Sequence, residues 1–315
     1  MSSGKFGIRQ PPQPGQPPHE PELDPPFDVI EAERLASPLV FSSPHSGSVY
    51  PRRFLASARL DAMTLRRSED AYVDELFAGA VARGAPLVRA RFPRAYLDLN
   101  REAYELDPRM FEGRLPSFAN TRSIRVAGGL GTIARVVGDS QEIYAERLKV
   151  DEVLARIEKL YKPYHRTLQS LLGRARQSFG LAVLIDCHSM PSVSTLPLPE
   201  SADRKIKADF VLGDRYGTSA AVEFVDCVEN ELRRLGYSVL RNKPYAGGFI
   251  TEHYGDPPSH LHAMQIEVNR ALYMDEKSLA KAERFGRIAA DLSEVVGTLA
   301  QRISTRYGGE RAAAE

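Results

Sequence analysis

Short apolar runs alternate with stretches of helical period along most of the chain. The apolar centre of "SPLVFSSPHSG" predicts a strand from about Pro38 to Ser43, then a Pro–Gly loop. In "SEDAYVDELFAGAVARG", Val73, Leu76, Phe77, Ala80 and Val81 recur at helical spacing, with Ser68 as N-cap and Gly84 as the stop. "PLVRARF" and "AYLDLN" read as two strands turning at Pro93. A long helical stretch is expected from about Ser140 to Ser178, broken at Pro163. "GLAVLIDCHS" is the most strongly apolar strand, and "ADFVLGD", "YSVLRN" and "HAMQIEVNR" are others. "TSAAVEFVDCVENELRRLG" predicts an amphipathic helix ending at Gly236, and a closing helix runs from Glu276 to about Arg306. This alternation, without an internal repeat, predicts an α/β sandwich around a mostly parallel or mixed sheet.

Composition changes the picture at the ends. The Pro-rich "RQPPQPGQPPHEPELDPP" has few apolar side chains to bury, so residues 1–26 are expected to be a disordered tail. Residues 307–315 are expected to be flexible, leaving 27–306 as one domain. With 43% hydrophobic residues among 315, the chain can bury a large core. Charge adds an exclusion: 42 Lys and Arg against 41 Asp and Glu imply no basic face for nucleic acid or an anionic membrane. No apolar run is long enough for a membrane span, and no apolar leader opens the chain. With only Cys187 and Cys227, no disulfide framework is expected, and a cytoplasmic protein is the simplest expectation.

Candidate chemistry lies just past the apolar runs, where open α/β sheets bind ligands. His45 follows the first strand. His188 closes "AVLIDCH", Asn100 and Arg101 follow "AYLDL", and Glu267, Asn269 and Arg270 lie within "MQIEVNR". Two imidazoles and a carboxylate suit a catalytic zinc with one open position. His45 and His188 are the imidazole candidates, and Asp70 is the preferred third ligand over its rival Glu69. Glu267 is held back as general base, and Asp186 can orient His188 if the strand stays regular. Each has an ordinary alternative. A single histidine can be a hydrogen-bonded core residue, and acids suit the first turn of a helix. Cys187 reads as a small buried residue rather than a nucleophile.

These residues fall in segments that resemble the N-formylglutamate amidohydrolases: "SPHSGSVYP", "SEDAYVDELF", "YLDLNRE", "GLGTIARV", "LIDCHSMPS", "DFVLGDRYG", "GGFITEHYG" and "QIEVNRALYMDE". Their order and spacing fit across about residues 38–276. The resemblance implies a three-layer α/β/α fold with a central mixed sheet, like the zinc carboxypeptidases. It implies one Zn2+ per chain and hydrolysis of N-formyl-L-glutamate to formate and glutamate, in histidine breakdown. Carried over, His45, Asp70 and His188 hold the metal, Glu267 is the base, and Arg101 with Asn100 binds substrate or polarises the carbonyl. A small acidic N-acyl amino acid needs cationic clamps, for which Arg94, Arg101, Arg135 and Arg270 are the supply. The glycine pairs in "GGLGTIAR" and at Gly247–Gly248 are expected to bring backbone close to ligand. The alternatives are a hydrolase of another acyl amino acid or short peptide, a metal- or ligand-binding relative without turnover, and an interaction protein acting through its tail.

Overall fold

The computed structural model describes residues 20–138, 140–192 and 208–312, with side chains to residue 307. In chain order, the first elements are β1 (Phe27–Ile30), β2 (Leu39–Ser43), α1 (Arg52–Ser57), α2 (Ala62–Arg66), α3 (Val73–Leu76), α4 (Gly79–Ala82) and β3 (Leu87–Ala90). Next come β4 (Phe111–Glu112), α5 (Ile124–Ala127), β5 (Val136–Val137), β6 (Gln141–Glu142), β7 (Leu148–Lys149), α6 (Val150–Arg156) and α7 (Lys162–Phe179). The chain closes with β8 (Ala182–Met190), β9 (Phe210–Gly213), α8 (Val222–Arg234), β10 (Val239–Arg241), α9 (Phe249–Tyr254), β11 (Leu261–Asn269) and α10 (Phe285–Ala312). Seven strands form one sheet in the order β1-β3-β2-β8-β11-β9-β10. β3, β2, β8 and β11 run parallel, β1 pairs antiparallel with β3, and β9 pairs antiparallel with β11 but parallel with β10, so the sheet is mixed.

Alternation along the central strands builds two cores. Leu39, Phe41, Val183, Ile185, Cys187, Met264, Ile266 and Val268 face α3, α4, α8 and α10. Val40, Ala182, Leu184 and Ala263 face α1, α2, α6, α7 and α9. Every residue of β8 is buried, as a strand covered on both faces requires. The result is a three-layer α/β/α sandwich. On the second face the apolar run gives way to polar residues near the carboxyl ends, with Asp186 and His188 after Leu184, and Gln265 and Glu267 after Ala263.

Several expected elements differ. The helix expected from Ser68 starts only at Val73, because Tyr72 takes a left-handed conformation (φ 65°) and Asp70 N–H bonds to His45 O at 3.0 Å. That tertiary bond overrides the local helical period. "AYLDLN" alternates like a strand, but its amides pair outside any sheet: Tyr96 N–H in a turn to Pro93 O, and Asp98 N–H across to the distant Thr132 O. The stretch expected to be helical from Ser140 instead holds β6 and β7, and its helix begins at Val150. Pro163 does not break it. A π-turn at Ile157–Tyr161 puts Pro163 in the first turn of α7, where its missing N–H costs little. The closing helix starts at Phe285 rather than Glu276, because Asp275 Oδ1 draws the Lys277 and Ser278 amides into a turn. Within the expected tail, residues 1–19 lie outside the described residues. Pro21–Leu23 form a 3-10 turn with Leu23 buried, and β1 follows. The remaining expected strands and the helix α8 form within a few residues of their expected bounds.

The loop after β2 is held closely. Val49 N–H bonds to Arg91 O at 2.8 Å, and Ser46 Oγ accepts from Asp74 N–H at 3.1 Å. A Cβ on Gly47 would lie 2.1 Å from Phe92 O, a backbone atom with nowhere to go. Gly47→Ala is therefore expected to destabilise the fold by roughly 1–3 kcal/mol. An unchanged midpoint of urea unfolding for this variant would contradict the packing described.

Candidate active site

His45 is presented by the loop after β2, His188 by the end of β8, and Asp70 by the turn before α3. Their ligand atoms lie within 4.8 Å of one another, and all three residues are buried. Asp70 Oδ2 is 3.4 Å from His45 Nδ1 and 2.9 Å from His188 Nδ1. Each imidazole turns its other nitrogen to a second carboxylate: His45 Nε2 to Asp98 Oδ1 at 2.7 Å, and His188 Nε2 to Asp186 Oδ2 at 2.8 Å. A carboxylate accepts, so Nε2 carries the hydrogen in both rings, and Nδ1 is left to face Asp70.

That arrangement fits a cation. His45 Nδ1 is buried without a hydrogen-bond partner. A bare lone pair beside a carboxylate is unfavourable unless positive charge lies between them. Burial opposes charge on His188, yet Asp186 and Asp70 outweigh it and hold the imidazole well above its usual range. Burial likewise opposes the charge of Asp70, but the neighbouring His188 and His45 imidazoles take its carboxyl well below the usual carboxylate range. A proton or a metal ion can supply the missing charge. Two imidazoles and a carboxylate are a donor set that zinc accepts.

Arginine and serine brace Asp70 from behind. Ser189 Oγ and Arg270 Nη2 each donate to Asp70 Oδ1 at 3.2 Å, and Arg270 also bonds to Glu69 O at 2.7 Å and Arg67 O at 3.2 Å. Glu69, the rival ligand, is engaged elsewhere: Tyr50 Oη donates to Oε1 at 2.7 Å and Arg66 Nε at 3.1 Å. Glu267 stands beside His188 in the β8–β11 register. Burial pushes its carboxyl up to about 7, with His188 and the arginines acting against the shift and Asp70 adding to it.

The expected substrate-binding residues divide into two groups. Arg94 Nε bonds to Asp98 Oδ2 at 2.9 Å, its Nη atoms have no hydrogen-bond partner among the described residues, and 29% of the side chain is exposed. Arg101 bonds through Nε to Leu130 O and through Nη1 to Asn100 O, while Nη2 makes only a 3.6 Å approach to Asp98. The others are turned inward. Asn100 Nδ2 lies 3.2 Å from Asp186 Oδ2 and 3.1 Å from His188 Nε2, and its Oδ1 accepts from Ile250 N–H. A Cβ on Gly248 would strike the Asn100 amide, so this glycine serves the scaffold. Arg135 pairs with Asp107 at 3.0 Å and Glu142 at 3.4 Å and makes no contact with the His–Asp–His group.

Sequence reasoning passed over Asp98, which the structure makes a hub for His45, Arg94, Arg101 and the Asn100 amide. An acid inside the apolar run "AYLDLN" is the signal that could have found it. Burial opposes its charge, but Arg101, Arg94 and His45 hold it well below the usual carboxylate range. His165 and His262 are structural: burial pushes each down to about 4, His165 bonds to Tyr254 and Leu99, and His262 accepts from Ala221 N–H.

Comparison with known proteins identifies the family. Residues 37–274 match the N-formylglutamate amidohydrolase family. N-formylglutamate deformylase of Pseudomonas aeruginosa is 31% identical over 259 residues, covering 80% of this chain and 87% of its own. The deformylase of Pseudomonas putida is 31% identical over 254 residues, covering 79% and 86%. The crystal structure of N-formylglutamate amidohydrolase from Ralstonia eutropha superposes with a TM-score of 0.83 at 38% identity, covering 89% of this chain and 99% of that one. On these matches the chain belongs to the N-formylglutamate amidohydrolase family, enzymes that hydrolyse an amide bond.

Proposed function

We propose that this chain hydrolyses N-formyl-L-glutamate to formate and L-glutamate, with one zinc ion held by His45, Asp70 and His188. The observation that carries the reading is the meeting of two Nδ1 atoms and one carboxylate oxygen beside Glu267. Zinc bound there would supply Lewis acidity towards water and the formyl carbonyl. Glu267, one strand over from His188, takes the proton of the attacking water and returns it to the leaving amine nitrogen. Its buried setting suits both duties, because a carboxyl raised to about 7 is ready to accept and to release a proton near neutrality.

Arg94 and Arg101 flank Asp98 and keep donors free for the two carboxylates of the substrate. Asp98 and Asp186 hold the imidazoles with Nδ1 forward, and Arg270 positions Asp70 rather than touching substrate. A small acidic N-acyl amino acid is thus the partner. No helix among the described residues is long and apolar enough to cross a membrane.

The purified protein is expected to carry about one zinc ion per chain. Formate release should stop with a chelator and return with added zinc. Glu267→Gln should keep its metal yet lose roughly a thousandfold in kcat. Near-full activity in that variant, by formate assay, would remove Glu267 from this role. Zinc without formate release from N-formylglutamate would move the search to other acyl amino acids.

Asp98 yields a pH-dependent outcome for the zinc-free chain. Its folded carboxyl titrates below the unfolded value, so its stabilisation is present above about pH 4 and is lost as pH falls towards the folded value. Asp98→Asn leaves Arg94 and Arg101 without their buried partner and should cost about 3 kcal/mol at pH 7. The deficit should shrink at pH 3. Urea unfolding of both proteins at the two pH values tests this, and a deficit that grows on acidification contradicts it.

A further inference from the structure

Across the parallel pair β8 and β11, Glu267 is in register with His188, and Gln265 with Asp186. On each strand the residue two positions earlier, on the same face, supports the functional one. Asp186 Oδ2 accepts from His188 Nε2 at 2.8 Å, and Gln265 Nε2 donates to Glu267 Oε1 at 2.8 Å. The Gln265 amide has one orientation, because its Oε1 accepts from Gly248 N–H at 2.9 Å. The Asn100 amide is fixed the same way: Oδ1 accepts from Ile250 N–H at 2.8 Å, leaving Nδ2 to donate to Asp186 Oδ2 at 3.2 Å. The first turn of α9 therefore orients both amides, one serving the base and the other serving a metal ligand.

We infer that Gln265 is a positioning residue for Glu267, and that with Asn100 and the start of α9 it fixes the base relative to His188. Gln265 and Glu267 are both buried. Among the described residues Gln265 is the hydrogen-bond donor to the Glu267 carboxylate. Arg94, Arg270 and His188 act on that carboxylate through charge, which attracts but does not fix a rotamer. A directional N–H does. The amide is also uncharged, so it can hold Glu267 without the strong ion pair that would impair a base.

The inference rests on Glu267 being the base, and two variants test it in the full zinc-loaded chain. Gln265→Met removes donor and acceptor at similar length. Gln265→Glu keeps shape and the acceptor for Gly248 N–H but faces Glu267 with oxygen. Both should lose about tenfold to a hundredfold in kcat for formate release, with KM within about threefold and zinc content unchanged. A crystal structure of Gln265→Met should show Glu267 in a new rotamer on an undisturbed β11. Native kcat with the native Glu267 rotamer in Gln265→Met overturns the inference. A loss in Gln265→Met with native kcat in Gln265→Glu also overturns it, because the Gly248 turn alone would then matter. If the unaltered chain releases no formate, the functional reading fails, and the Glu267 rotamer in Gln265→Met still decides the role of Gln265.

Discussion

Four carboxylates, those of Asp70, Asp98, Asp186 and Glu267, are buried within one small region at the carboxyl end of the sheet. Buried charge of one sign is tolerated only where opposite charge and hydrogen bonds answer it. Much of the surrounding structure supplies that answer. Arg270 and Ser189 brace Asp70, Arg94 and Arg101 brace Asp98, and Asn100 reaches Asp186. The hydrogen bond that Glu267 receives comes from a neutral amide, and burial raises its proton affinity. Asp70 and Asp98, faced by imidazoles and arginines, are held well below the usual carboxylate range, while Glu267 is raised to about 7.

The sheet brings these groups together without irregular backbone at its centre. β8 and β11 stay regular for nine residues each, and their parallel register sets Asp186 beside Gln265 and His188 beside Glu267. One face of the same strands is apolar through Val183, Ile185 and Cys187 and through Met264, Ile266 and Val268, while the other changes from apolar to polar within two side chains. Asp186, His188, Gln265 and Glu267 are therefore anchored on the central strands. His45 and Asp70 come from loops, tied to each other by the bond between their backbones, and Asp98 and Asn100 come from the turn-rich segment after β3.

The central strands and the principal site groups were legible because alternation is a local property. "AVLIDCH" places Asp186 and His188 on one face and Cys187 on the other, as the structure has them. The roles of Asp98 and Gln265 were not legible, since period two reveals a face but not the neighbour across it. Residues 95–99 alternate as a strand would, yet their apolar side chains are buried on a turn-rich segment shaped by Asp98. The helix expected from Ser68 failed for a related reason. Its first turn is given up so that Asp70 can reach His45, and no local preference records that exchange. Glu69 and Asp70, adjacent acids with equal claims by composition, are separated only by Tyr50 and Arg66.

Both imidazoles turn Nδ1, the nitrogen nearer the main chain, towards Asp70. Few rotatable bonds separate such a nitrogen from its backbone, and the distal Nε2 is tethered as well. A cation held there would sit in a cage that is in effect an extension of β8 and of the loop after β2. Such a cage has little elastic give. A cation of a different radius would have to push strands apart rather than swing side chains, so selection among ions would be enforced by the stiffness of the sheet.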